Sequence, residues 1–222
     1  MGWGGGEMEP GVGIHTEELL LPPALQEEFA TVAAVWSSGG KTKGVDALLL
    51  SWVKYEKQFR HLFCFLVYQH PSLRERIDRI DAFLVSRTDL YPETFIHCIN
   101  EMGPKSVPDL LSPHYDKLWP EVGRIKGRRR KLMHGLTTGE GTGTDELRAD
   151  VCCLLKWIAE LATGARAALG YDGLERNTAF RARNVSKVLI AKYPFSTFQD
   201  FEIWVSKLAK LPRNPPQVGA KK

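Results

Sequence analysis

The chain has 222 residues and a mass of 25.0 kDa, enough for one sizeable domain or a domain with a small appendage. Its 43% hydrophobic and 25% charged content is that of a globular protein and excludes a disordered or fibrous one. The net charge of +4 hides an asymmetry: the first 40 residues hold six glutamates and no Lys or Arg, so the remainder carries +10.

Two windows concentrate that positive charge, Arg124 to Lys131 and Arg176 to Gln199. Such windows suit a polyanionic partner, and they equally suit a solvated surface. No apolar run reaches the roughly 18 to 20 residues that span a bilayer. The first residues lack the basic-then-apolar order of a secretion signal. The expectation is a cytoplasmic protein with no membrane contact. Cys64, Cys98, Cys152 and Cys153 lie in apolar surroundings at no metal-ligand spacing. They read as buried free thiols, and neither a metal nor another cofactor is expected.

In chain order, Gly-rich residues 1–13 read as a disordered leader. A helix is predicted over Pro23 to Trp36, stopped by Ser37-Ser38-Gly39-Gly40. A long one follows from about Val45 to Gln69, whose Leu48, Trp52, Tyr55, Phe59, Leu62 and Leu66 fall on one face. Shorter helices are predicted over 73–86 and 91–102. Ser112-Pro113 reads as an N-cap followed by Pro at the first helical position, with Pro120 kinking or restarting the helix toward Met133. After the GLTTGEGTGTD loop, Thr144 or Asp145 caps a helix to about Leu169, ended by Gly170. Two more helices, over about 177–192 and 196–210, precede a disordered tail at 212–222. The fold class is all-α, an antiparallel helical bundle over residues 14–170 with a C-terminal helical extension over 171–211.

The stretch "GRRRKLMHG" at 127–135 carries the functional argument. At about 100° per residue, Val122, Ile125, Leu132 and Met133 share a sector of roughly 100°, and Arg129 falls inside it. Arg124, Arg128 and Lys131 fall on the other side, where a solvated basic face is the ordinary reading. Lys126 and Arg130 lie near the edges. An inward guanidinium requires a carboxylate, a phosphate or a wet cleft, because leaving it unpaired costs several kcal/mol. His134 ends the helix just before Gly135, where an imidazole can move a proton near neutral pH. An arginine that grips a phosphate beside a histidine that transfers a proton suits phosphodiester chemistry. The alternative needs no chemistry: Arg129 pairs with Glu56 or another buried carboxylate, and His134 caps a helix end.

Arg129-Arg130-Lys131-Leu132-Met133-His134-Gly135 resembles the R-x4-H motif of the HEPN superfamily (higher eukaryotes and prokaryotes nucleotide-binding domains). The likeness covers about residues 45–170 and implies a HEPN-type bundle in which the motif ends one core helix and a long helix follows. It implies a metal-independent endoribonuclease with Arg129 and His134 as catalytic residues and a site shared across a homodimer. A toxin or defence role is implied with it, and an antitoxin or regulatory protein is a partner such a role brings. Other members bind RNA or nucleotides without cutting, as adaptors or regulators. Active members often carry a small polar residue such as Asn after the arginine, where this chain has Arg130.

The expected reaction is attack of the RNA 2′-hydroxyl on phosphorus, with His134 as acid or base and Arg129 stabilising the phosphorane charge. Arg124, Lys126, Arg128 and Lys131 are the expected RNA contacts, on single-stranded or structured RNA. Glu56 reads as an intrahelical partner of Arg60 or as a carboxylate that, with Arg130, supports the motif. His61, His70, His97 and His114 share no spacing and read as isolated histidines.

Overall fold

A 27-residue helix with both aromatic and aliphatic residues on most of its circumference has to sit in the middle of its fold. In the computed structural model, which describes residues 23–73, 76–135, 143–174 and 190–211, that helix is α2 (Lys43–Gln69), preceded by α1 (Pro23–Trp36). A 3-10 turn at Pro71–Leu73 leads to α3 (Ile77–Ser86), α4 (Pro92–Met102) and a single-turn α5 (Val107–Leu110). Then follow α6 (Tyr115–Met133), α7 (Thr144–Leu169) and α8 (Phe198–Ala209). The described residues are all-α. None of their helices is long and apolar enough to cross a membrane. The leader, the tail, the helix expected at 177–192 and most of the 135–145 loop lie outside the described residues.

The contacts set the helix directions. Glu28 of α1 meets Lys54 and Lys57 of α2, while Trp36 approaches Gly44, so α1 and α2 run antiparallel. Tyr115 packs against Trp157, and Arg128 reaches the carbonyl of Glu146, so α6 and α7 are antiparallel too. Gly44 meets Leu147 and Gln58 meets Ile158, so α2 and α7, the most extensively packed pair, run in the same direction. Between them Tyr55 and Phe59 pack on Trp157, with centroids 6.0 and 6.3 Å apart. Fully buried Gln58 donates its amide to the carbonyls of Ile158 and Asp172, tying α2 to the end of α7. Helix α8 buries Phe201 and Val205, and its Trp204 donates to Glu101 of α4 at 2.6 Å.

Local chemistry explains the boundaries and three departures from expectation. Helix α7 starts one position earlier than expected, with Gly143 at the N-cap and the Glu146 carboxylate accepting its N–H at 2.8 Å. It ends at Gly170, whose φ of 72° is left-handed, as the sequence implied. Helix α6 starts at Tyr115, so Ser112-Pro113 lies in the preceding turn, and Pro120 sits inside one uninterrupted helix. Near the N-terminus that proline removes a single backbone bond, to Asp116, and stacked Tyr115 and Trp119 stabilise the same turn. Helix α5 is too short to leave a periodic pattern. Its signal is the Ser106–Asp109 capping box.

Among the described glycines, Gly164 sits at the tightest approach. A Cβ there would lie 1.9 Å from the Leu110 carbonyl oxygen, so α5 rests on bare α7 backbone. Gly164→Ala is expected to lower unfolding free energy by about 1–3 kcal/mol. Gly123→Ala, which meets nothing within 4 Å, should raise it by about 0.5–1 kcal/mol. Urea denaturation of the two variants checks the contrast, and an equal effect would refute the close approach.

Glu28 gives a pH signature. Burial raises its pKa, but hydrogen bonds from Lys54 and Lys57 outweigh that and hold it below its ordinary value of 4.5. A carboxylate held low adds stability that is complete above about pH 4.5 and fades as pH falls through the folded value. Glu28→Gln should therefore cost below about 1 kcal/mol at pH 7, and the gap to wild type should narrow as pH falls below 4.5. A gap of constant size would contradict it.

Candidate functional site

Helix α6 brings the motif to the bundle, and its rotation follows from three sets of ionic contacts. Asp150 of α7, fully buried, accepts from Arg124 Nη2 at 2.7 Å and from Arg128 Nη1 at 2.5 Å. Arg124 also pairs with Glu121 at 2.8 Å. On the other flank Lys126 pairs with Glu93 of α4, itself buried. Between those flanks Leu118, Val122 and Ile125 enter the core, and Arg129 continues their row one turn further.

The inward reading of Arg129 is therefore met, in an unusual way. Its guanidinium lies over the buried Trp52 ring, 5.2 Å from the centroid, a cation–π contact of about 0.5–1 kcal/mol. The nearest carboxylate oxygen, Glu56 Oε1, is 3.9 Å from Nη2, beyond hydrogen-bond distance. That oxygen instead accepts a 2.6 Å bond from Trp52 Nε1. Trp52 thus fixes both the carboxylate and the guanidinium, and about a third of the Arg129 side chain stays exposed. Among the described residues the Arg129 guanidinium makes no hydrogen bond.

Arg130, Lys131 and His134 are exposed, with no ionic partner among the described residues. The His134 N–H still closes on Arg130 and Lys131 carbonyls, and Gly135 at φ 66° ends the turn. Five residues separate His134 from Arg129, about 140° round the helix and about 7.5 Å along it. The two groups face different sides of α6. Met133 beside them is 59% exposed, although its sector is shared with core residues, because α6 outruns the bundle there.

The expected RNA contacts divide. Lys131 is free at the surface, whereas Arg124, Lys126 and Arg128 are engaged by Glu121, Asp150 and Glu93. The solvated basic face expected for Arg124 and Arg128 is in fact the side that grips α7. Asp150 and Glu93 went unread in the sequence. Asp150 lies at the edge of the apolar stripe of α7, and that misplaced acid was the available signal. Glu56 does not pair with Arg60, which donates to the Leu84 carbonyl at 2.8 Å.

His61, read as isolated, is tied to the segment after α7. Its Nδ1 donates to the Gly173 carbonyl at 2.9 Å. Burial, then nearby Lys57, lowers its pKa, favouring the neutral ring. Among the described residues no three His, Cys, Asp or Glu side chains are grouped to hold a metal ion. Cys64 and Cys153 are free thiols pushed up by burial to about 12 and about 11.

No family model, curated protein or solved structure matches the chain. The functional reading rests on these residues alone.

Loss of the Asp150 charge tests the clamp. Asp150→Asn strands Arg128, whose side chain is 14% exposed, so the expected loss is about 3 kcal/mol, the low end for a broken buried pair. Glu121→Gln, on an exposed pair, should cost no more than about 0.5 kcal/mol. Similar losses in denaturant titrations would show that the clamp does not hold α6.

Proposed function

We propose that the chain is a metal-independent endoribonuclease of HEPN type. The observation that carries the reading is the state of Arg129: held in place by an aromatic face, yet with its hydrogen-bond donors unspent. Arg124 and Arg128 of the same helix are spent on Asp150, so the contrast is local and specific. A phosphate with two oxygens toward a guanidinium fork would take those donors. Exposed His134 at the helix end supplies the proton-transfer group that phosphodiester cleavage needs.

In the reaction, one imidazole removes the proton of the 2′-hydroxyl as its oxygen bonds to phosphorus. Arg129 stabilises the charge on the phosphorane oxygens. The P–O5′ bond breaks and the departing oxygen takes a proton from a protonated imidazole, leaving a 2′,3′-cyclic phosphate and a 5′-hydroxyl. Two proton transfers ask for two histidines or for one that alternates. Because His134 faces away from its own Arg129, a homodimer that sets His134 of one chain beside Arg129 of the other supports the reaction better than one chain does. Lys131 and Arg130, free at the surface, would attract the strand.

The second reading is an RNA- or nucleotide-binding module that does not cut, acting as an adaptor or regulator. Arg130 after the arginine favours it, as does the separation of Arg129 from His134 within one chain.

Labelled single-stranded RNA distinguishes the two. The wild-type protein should cleave in the presence of EDTA and leave cyclic phosphate ends. His134→Ala should slow it by about 10²- to 10⁴-fold and Arg129→Ala by about 10²- to 10³-fold. Mixing the two variants should restore cleavage, since only a mixed pair offers an intact arginine and histidine across the axis. Cleavage that needs added metal yet survives His134→Ala would reject the ribonuclease reading. Retained RNA binding without product from any protein would establish the binding module.

A further inference from the structure

Glu56 has a second neighbourhood. On the side of α2 away from Trp52 it borders a cavity of about 370 Å³ that runs between α2 and the α3–α4 connection. Val53, Leu90, Pro92 and Phe95 supply its apolar surface. Val53 is 56% exposed, unusual for a valine between buried Trp52 and Lys54 on a central helix. Lys57, Arg60, His61 and Arg87 bring positive or ionisable groups to the same cavity.

These groups are not equally available. Arg87 is spent on Asp89 at 2.6 Å and on Ser206 at 2.7 Å. Arg60 is exposed and has one nitrogen on the Leu84 carbonyl, and Lys57 shares Glu28 with Lys54, so both keep donors to spare. His61 donates through Nδ1 to Gly173, which leaves Nε2 as an acceptor when the ring is neutral.

The cavity thus combines an apolar surface, two acceptors (Glu56 and the His61 ring) and cations beyond them. A bare anion would gain nothing from the apolar surface and would be repelled by Glu56. An aliphatic ligand would leave the acceptors unmatched. A nucleobase has apolar faces and an N–H edge, and it is joined to phosphates on both sides.

We propose that this cavity is a nucleobase subsite: a single-stranded RNA whose phosphate lies on Arg129 seats the neighbouring base on Val53, Leu90, Pro92 and Phe95. Its next phosphate lies along Arg60 and Lys57, and Glu56 and His61 accept from the edge of the base. The placement at Arg129 rests on the ribonuclease reading, whereas the subsite itself is tested by binding alone.

The probe is a short 2′-O-methyl RNA, which cannot cyclise, with one abasic position walked along the strand and affinity read by fluorescence anisotropy. For the wild-type protein one abasic position should weaken binding about tenfold, while the others change it little. In both Val53→Glu and Val53→Lys that position-specific loss should vanish, because either side chain occupies the cavity. The lysine variant should still bind the strand at least as tightly overall, which separates blocked base occupancy from altered charge. Both substitutions are at an exposed position, and circular dichroism confirms their fold. An abasic walk with no special position, or one unchanged by both variants, overturns the subsite. Cleavage of unmodified RNA is measured in parallel. Cleavage without any Val53-dependent base effect overturns the subsite and leaves the ribonuclease reading standing. A Val53-dependent base effect without cleavage supports the subsite and removes the ribonuclease reading.

Discussion

Asp150 is fully buried and holds two guanidiniums from the neighbouring helix, and with the Lys126–Glu93 pair on the other flank it sets the angle of α6. Arg124 and Arg128 are one turn apart, so their common grip fixes the face of α6 that meets α7. Once that face is fixed, Arg129 must lie about 100° away, which is the direction of Trp52 on α2. Lys126 then faces α4, where Glu93 receives it. A carboxylate taken fully out of water would cost more than it contributes if it had no partner. Two arginines and the antiparallel register of α6 and α7 make it an anchor instead.

The all-α class and most helix limits were legible because long amphipathic periods leave clear patterns and Gly, Pro and Ser mark their ends. The position of Arg129 was legible for the same reason, since its sector follows from counting residues. What the arginines grip was not. Asp150 is 22 residues from Arg128 in the chain, and only the packing of α6 on α7 brings them together. The basic run therefore looked like a solvated face, although half of it is structural. His61 was similarly invisible, since its hydrogen bond to Gly173 spans 112 residues. Gly173 itself sits at φ 81° against the Gln58 carbonyl, a close approach that no spacing announces.

Division of labour within one basic stretch changes how its charge should be understood. Arg124, Arg128 and Lys126 are neutralised locally, and so contribute little to the field that a distant polyanion would feel. Arg130, Lys131 and His134 are left uncompensated at the end of α6, next to exposed Met133. Two such ends facing each other would bring like charges together around an apolar contact. The repulsion is strongest when nothing lies between them and is relieved by a bound phosphate. On the proposed reading, an anionic strand would therefore favour that pairing.

The Trp52 contact explains how Arg129 can be both held and available. A fork-to-fork carboxylate would immobilise the guanidinium more strongly, and a phosphate would then have to displace it at a cost of several kcal/mol. The indole face limits the directions the side chain can take while consuming no N–H donor. The same indole takes Glu56 Oε1 through its own N–H, which draws the carboxylate 3.9 Å from Arg129 and keeps the pair from closing. Trp52 therefore holds the two opposite charges at ion-pair range without a hydrogen bond between them. The long Arg129–Glu56 pair adds little stability at this position, while the Asp150 clamp on Arg124 and Arg128 maintains the docking of α6.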